Sequence, residues 1–105
     1  MSKARDKGRR LENLIALQLT SSGIPAERVP LSGSLGGKYK DDVVIGTIDN
    51  PIARIECKNR ENLSMLLWDW KEGCDYLVIK RNHKSPLFVL SVDQFIELYK
   101  GKYND

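Results

Sequence analysis

The chain has 105 residues, 41% of them hydrophobic and 30% charged, which is the size of one modest domain and the composition of a folded chain. No apolar run approaches the ~20 residues that cross a bilayer, and no signal-like apolar segment follows the basic stretch Met1 to Arg10. The expectation is one domain over residues 1–105, cytoplasmic, with no membrane partner. The formal net charge of +3 excludes little, and its distribution says more.

Lys3, Arg5, Lys7, Arg9 and Arg10 crowd the N-terminus against Asp6 alone, Lys38 and Lys40 lie in a glycine loop, and Lys80, Arg81 and Lys84 cluster later. Such clusters bind phosphates by releasing counterions, and they equally solubilise a surface, so charge alone assigns no function. Cys57 and Cys74 lack the CxxC spacing and histidine company of a zinc site, which predicts reduced thiols.

Leu11, Leu14, Ile15 and Leu19 follow helical spacing and predict a first helix over Gly8 to Ser22, with Gly23 as its left-handed C-terminal residue. Glu12 falls beside Leu19, at the border of that apolar stripe. Ile24 to Leu31 reads as a short extended segment leading into a glycine loop. Val43 to Ile45 and the alternating Ile52 to Lys58 form a hairpin around Thr47–Pro51. Leu63, Leu66, Leu67 and Trp70 predict a second helix ending at Gly73, with Met65 and Trp68 off its inward stripe. Tyr76–Ile79 and Leu87–Leu90 make a second hairpin. Ser91 with Gln94 forms a capping box that opens a last helix along Val92, Phe95, Ile96 and Tyr99.

Alternation from Ile52 to Lys58 puts Arg54, Glu56 and Lys58 on one face and Ala53, Ile55 and Cys57 on the other. Asp42 opens the neighbouring strand, so a second carboxylate can converge on Glu56 and Lys58. Two carboxylates with a backbone carbonyl suit Mg²⁺, a hard ion that keeps waters and shares its sites with phosphate oxygens. Such an ion activates water, and a nearby lysine positions the nucleophile or stabilises developing charge. The D…ExK pattern fixes few positions, however, and charge pairs on a solvated sheet face account for the spacing equally well.

The glycine loop does not make a nucleotide cradle. Three residues separate Gly33 from Gly37 where a P-loop needs four, and Tyr39 follows Lys38 where a Ser or Thr is required. His83, the single histidine, sits in a polar turn away from the acidic residues.

Four segments carry a family resemblance: Lys7-Gly8-Arg9-Arg10-Leu11-Glu12, Val29-Pro30-Leu31-Ser32-Gly33-Ser34, Asp41-Asp42-Val43-Val44 and Ile55-Glu56-Cys57-Lys58. In their order and spacing the chain resembles the archaeal-type Holliday-junction resolvases and their phage relatives, within the PD-(D/E)XK nuclease superfamily. The resemblance implies an α/β fold of the restriction-endonuclease-like kind, with a mixed, mostly antiparallel central sheet flanked by helices. It implies a catalytic set of Glu12, Ser32, Asp42, Glu56 and Lys58. Mg²⁺, or Mn²⁺, would be held by Asp42, Glu56, the Cys57 backbone carbonyl and Glu12. Lys7, Arg9, Arg10, Lys38, Lys40 and Arg60 would contact DNA. Asp41 competes with Asp42 for the strand position, and Ser34 with Ser32 for the loop position.

The implied activity is metal-dependent hydrolysis of four-way DNA junctions by a homodimer, phage- or virus-encoded, with Met65 and Trp68 suited to the dimer interface. A nuclease for nicked, flapped or single-stranded DNA and a non-catalytic DNA-binding module are the alternatives. The acidic pair argues against the module, because carboxylates repel phosphate unless a metal intervenes.

Overall fold

The computed structural model describes residues 3–30 and 42–103. The chain divides into two compact units, Met1–Glu61 and Asn62–Asp105. Both mix helices with small antiparallel sheets, giving an α/β protein.

In the first unit, α1 spans Lys3–Ser21, starting earlier than the apolar stripe alone predicts, and three strands follow: β1 (Ala26–Arg28), β2 (Val43–Gly46) and β3 (Pro51–Ile55). They form one antiparallel sheet in the order β1-β2-β3. Val43 stands opposite both Arg28 and Ile55. The central strand carries the β-branched run Val43, Val44 and Ile45, all buried, as a strand with covered faces requires. Leu19, Ile24 and Val29 complete the core, and α1 packs mainly against β1.

The exit from α1 is a Schellman turn. The Ile24 N–H donates to the Leu19 carbonyl at 2.9 Å, the Gly23 N–H donates to Thr20 at 3.0 Å, and Gly23 takes φ 88°. Leu19 and Ile24, the two residues such a turn brings into apolar contact, are both buried. Burial also redraws the predicted stripe of α1. Leu14 is half exposed, whereas the Glu12 side chain is only 16% accessible, so the inward face includes the glutamate.

The β2–β3 hairpin turns at Gly46, where the register shifts. With φ 98°, Gly46 sits so close to the returning strand that a Cβ would meet the Asn50 carbonyl oxygen at 3.0 Å. Thr47 closes the turn, its Oγ1 accepting from the Asn50 N–H at 3.1 Å. β3 keeps the predicted alternation, with Ala53 and Ile55 covered and Ile52 and Arg54 exposed. Its ladder stops at Ile55, so Glu56, Cys57 and Lys58 continue past the strand end.

The second unit contains α2 (Leu66–Lys71), β4 (Leu77–Ile79), β5 (Leu87–Val89) and α3 (Val92–Tyr103). The second helix is shorter than predicted. Ser64 Oγ accepts from the Leu66 N–H at 3.2 Å, and this side-chain bond leaves Leu63 outside the helix. None of the α2 residues is buried, Trp70 included. β4 and β5 pair antiparallel, with Val78 opposite Phe88. The capping box forms with both bonds: Ser91 N–H to Gln94 Oε1 at 3.0 Å, and Gln94 N–H to Ser91 Oγ at 3.1 Å. Gln94 Nε2 also donates to the Asp75 carbonyl, tying the start of α3 to the segment that enters β4. Cys57 and Cys74 are free thiols. Among the described residues, no helix is long and apolar enough to cross a membrane.

Candidate active site

Asp42 is held from three directions. Its N–H donates to the Ile55 carbonyl at 3.1 Å and its carbonyl accepts from the Val29 N–H at 2.9 Å, extending the sheet one step beyond β2 on both sides. Its carboxylate Oδ2 accepts from the Cys57 N–H at 2.8 Å. At 9% accessibility, Asp42 is the one buried charged residue among those described. A buried carboxylate costs free energy unless it is bonded, and the Cys57 amide supplies one of the bonds.

That amide belongs to the segment carrying the other candidates. Lys58 Nζ lies 3.1 Å from Glu56 Oε1, with about half of each side chain accessible. The pair is therefore open to an incoming ligand. Cys57, between them, turns its side chain to the covered side, in line with strand alternation.

Glu12 comes in from α1. Its Oε1 stands 3.7 Å from Arg28 Nη1 on β1. Burial pushes the Glu12 carboxyl above its ordinary range, and the negative charges of Asp42 and Glu56 add to that, while Arg28 and Arg9 pull the other way. Burial likewise pushes the Cys57 thiol up to about 11, reinforced by Asp42, Glu12 and Glu56. The negative charges of Asp42, Glu12 and Glu56 are thus all felt at Cys57.

Such a field suits a cation. All three side chains offer hard oxygen donors, and their mutual repulsion is what a divalent ion would relieve, so the donor chemistry fits Mg²⁺ or Mn²⁺. The side chains are not already drawn together into a cage: among the described residues, no three His, Cys, Asp or Glu groups stand close enough to hold an ion.

Of the other expected residues, Arg9, Arg10 and Arg60 are exposed and Lys7 is half-buried. Arg9 is near enough for its charge to act on Glu12. Ser32, Ser34, Lys38, Lys40 and Asp41 lie outside the described residues. Sequence reasoning missed Arg28, the cation that faces Glu12. No local pattern marks it: Arg28 lies on the covered side of β1 with Ala26 while Glu27 is exposed, and only the pairing with Glu12, sixteen residues away, shows its role.

Residues 3–75 match the family described as "Phage putative PDDEXK endonuclease". Comparison with curated proteins and with solved structures gives no significant match. The matched stretch covers α1, the three-stranded sheet, the Glu56–Lys58 segment and α2, and thus every element that bears on the acidic site. On that match the chain belongs to this phage family of PDDEXK endonucleases, within the PD-(D/E)XK nuclease superfamily.

Proposed function

We propose that the chain is a metal-dependent endodeoxyribonuclease that hydrolyses a phosphodiester in four-way DNA junctions, acting as a homodimer. The family match over residues 3–75 carries this reading, together with the bond of 2.8 Å that fastens Asp42 Oδ2 to the Cys57 N–H, between Glu56 and a Lys58 that stands 3.1 Å from Glu56 on the open side. In a PDDEXK endonuclease, carboxylates with an exposed ammonium beside them supply the donors and the positive charge that phosphodiester hydrolysis uses.

Asp42, Glu56, Glu12 and the Cys57 backbone carbonyl would hold Mg²⁺ or Mn²⁺. When bound, such an ion acidifies a water and offsets charge on the phosphate. Lys58 then has two tasks that its exposure permits, donating hydrogen bonds to a phosphate oxygen and orienting the attacking water. Arg28 keeps the Glu12 carboxylate charged and oriented against the repulsion of its neighbours. Ser32 assists from the loop, and Lys7, Arg9, Arg10, Lys38, Lys40 and Arg60 contribute affinity for the phosphate backbone.

In this reading the two units belong to one domain of the restriction-endonuclease-like kind, and a symmetric pair of chains supplies two sites for paired nicks. The test is to incubate the protein with a labelled four-way junction and a matched linear duplex, each with Mg²⁺ or EDTA. Junction cutting that requires Mg²⁺ and exceeds duplex cutting is the expected result. Equal cutting of both substrates would remove the junction claim and leave the nuclease; no cutting, with DNA bound in EDTA, would leave only a binding module.

A further inference from the structure

The hairpin between β4 and β5 has a one-sided chemistry of its own. The second unit has six Lys and Arg against six Asp and Glu, so its formal charge balances. Three of those cations, Lys80, Arg81 and Lys84, sit in the one hairpin connection, and from Tyr76 to Val92 there is no carboxylate at all. All three are exposed.

The turn fixes where they point from. The Lys84 N–H donates to the Arg81 carbonyl at 3.1 Å, closing a four-residue turn whose third position, His83, takes φ 65°. That backbone region favours glycine, and here it carries an imidazole among three cations. Beneath them lies an open concavity of about 580 Å³, lined by Ile79, Lys80, Arg81, Lys84, Ser85 and Leu87. An apolar floor with a cationic rim matches the two parts of a sugar–phosphate backbone.

We propose that the β4–β5 hairpin is a DNA-backbone grip additional to the N-terminal cations: Lys80, Arg81 and Lys84 bind phosphates, and Ile79 and Leu87 receive deoxyribose carbons. The inference rests on the nuclease reading for the identity of the polyanion. An acidic polypeptide would be held by the same cations, but the family's endonuclease character favours DNA.

The test uses the full chain in EDTA, binding a labelled linear duplex across roughly 50 to 200 mM salt. Replacing all three cations (Lys80→Gln, Arg81→Gln, Lys84→Gln) should weaken binding and flatten the log-affinity against log-salt slope by about 2 to 3, at roughly 0.9 per lost phosphate contact. Arg81→Gln alone should flatten it by about 0.9, and Lys100→Gln, a cation of the same unit outside the hairpin, should leave it unchanged. A triple variant with wild-type slope and affinity overturns the proposal. So does a loss of affinity without a change of slope, which points to altered folding rather than lost phosphates. Failure of the nuclease reading looks different: the junction stays uncut in Mg²⁺ while the hairpin-dependent slope persists.

Discussion

The Cys57 N–H donates to Asp42 Oδ2 at 2.8 Å, so the carboxylate at the entry to β2 is fastened to the backbone segment bearing Glu56 and Lys58. The bond gives Asp42 a structural duty beside its proposed chemical one, and the two separate by substitution. Asp42→Asn keeps an acceptor for the Cys57 N–H and removes the charge; Asp42→Ala removes both. Both should lose cleavage by at least about 100-fold. In urea unfolding, Asp42→Ala should cost about 1–3 kcal/mol by stranding a part-buried donor, and Asp42→Asn less. Equal stability losses would show that the hydrogen bond carries no weight.

Glu56 and Lys58 should behave in the opposite way. Their ion pair is about half accessible, and exposed pairs contribute less than about 1 kcal/mol. Lys58→Ala and Glu56→Gln should therefore unfold near the wild-type midpoint while cleaving at least about 100-fold more slowly. A variant that cuts at the wild-type rate would take its residue out of the site.

For Glu12 the sign of the pH dependence follows from the upward shift. Its folded-state pKa lies above the ordinary 4.5, so the folded chain holds this proton more tightly than the unfolded chain does. Stability from that preference is present below 4.5 and is lost as pH rises through the shifted value. Glu12→Gln, which mimics the protonated form, should gain stability relative to wild type at pH 7 compared with pH 4. Denaturant melts at the two pH values decide it; a constant difference would mean that the carboxyl is not destabilised by its surroundings. Arg28→Ala removes the facing cation and should raise the Glu12 pKa further, measurable by carboxyl NMR titration.

Cys57, with its thiol pushed up to about 11, should resist alkylation. At pH 8 only about one molecule in a thousand carries the thiolate, which is the reactive form. Iodoacetamide followed by peptide mass mapping should modify the exposed Cys74 first, and the Cys57 rate should keep rising with pH well beyond 9. Rapid labelling of Cys57 at neutral pH would show that burial and the three carboxylates do not hold its thiol protonated.

Gly46 and Gly23 both have positive φ, but their surroundings differ. A Cβ at Gly23 meets nothing within 4 Å, so Gly23→Ala should cost about 1 kcal/mol from backbone strain alone. At Gly46 the same methyl would press on the Asn50 carbonyl and the Ile52 amide, both backbone, and Gly46→Ala should cost about 2 kcal/mol or more. Thermal melts that rank the two in reverse would contradict this account of the hairpin.

What the sequence made legible was local. The Schellman turn at Gly23, the capping box of Ser91 and Gln94, both hairpins and the alternation through Ile55 depend on residues a few positions apart, and their patterns carry the reason for their shape. The orientation of α1 was less accessible. Hydrophobic spacing favours Leu14 as an inward residue, but Glu12 faces inward toward Arg28 on β1 instead, and that pairing joins residues sixteen apart in the chain. The strand end was misjudged for a related reason: alternation continues to Lys58, whereas the ladder needs a partner strand and stops at Ile55. For the acidic site, the residue types were readable from the D…ExK spacing, and the role of Arg28 emerged only from the fold.

Gln94 has one more consequence. Glutamate fills the third position of a capping box as readily as glutamine, because only the acceptor oxygen is needed. In this chain the other half of the amide donates to the Asp75 carbonyl, where a glutamate would set an anionic oxygen against a carbonyl dipole. The amide therefore discriminates between two otherwise interchangeable residues and makes the start of α3 a checkpoint for the alignment of the segment leading into β4.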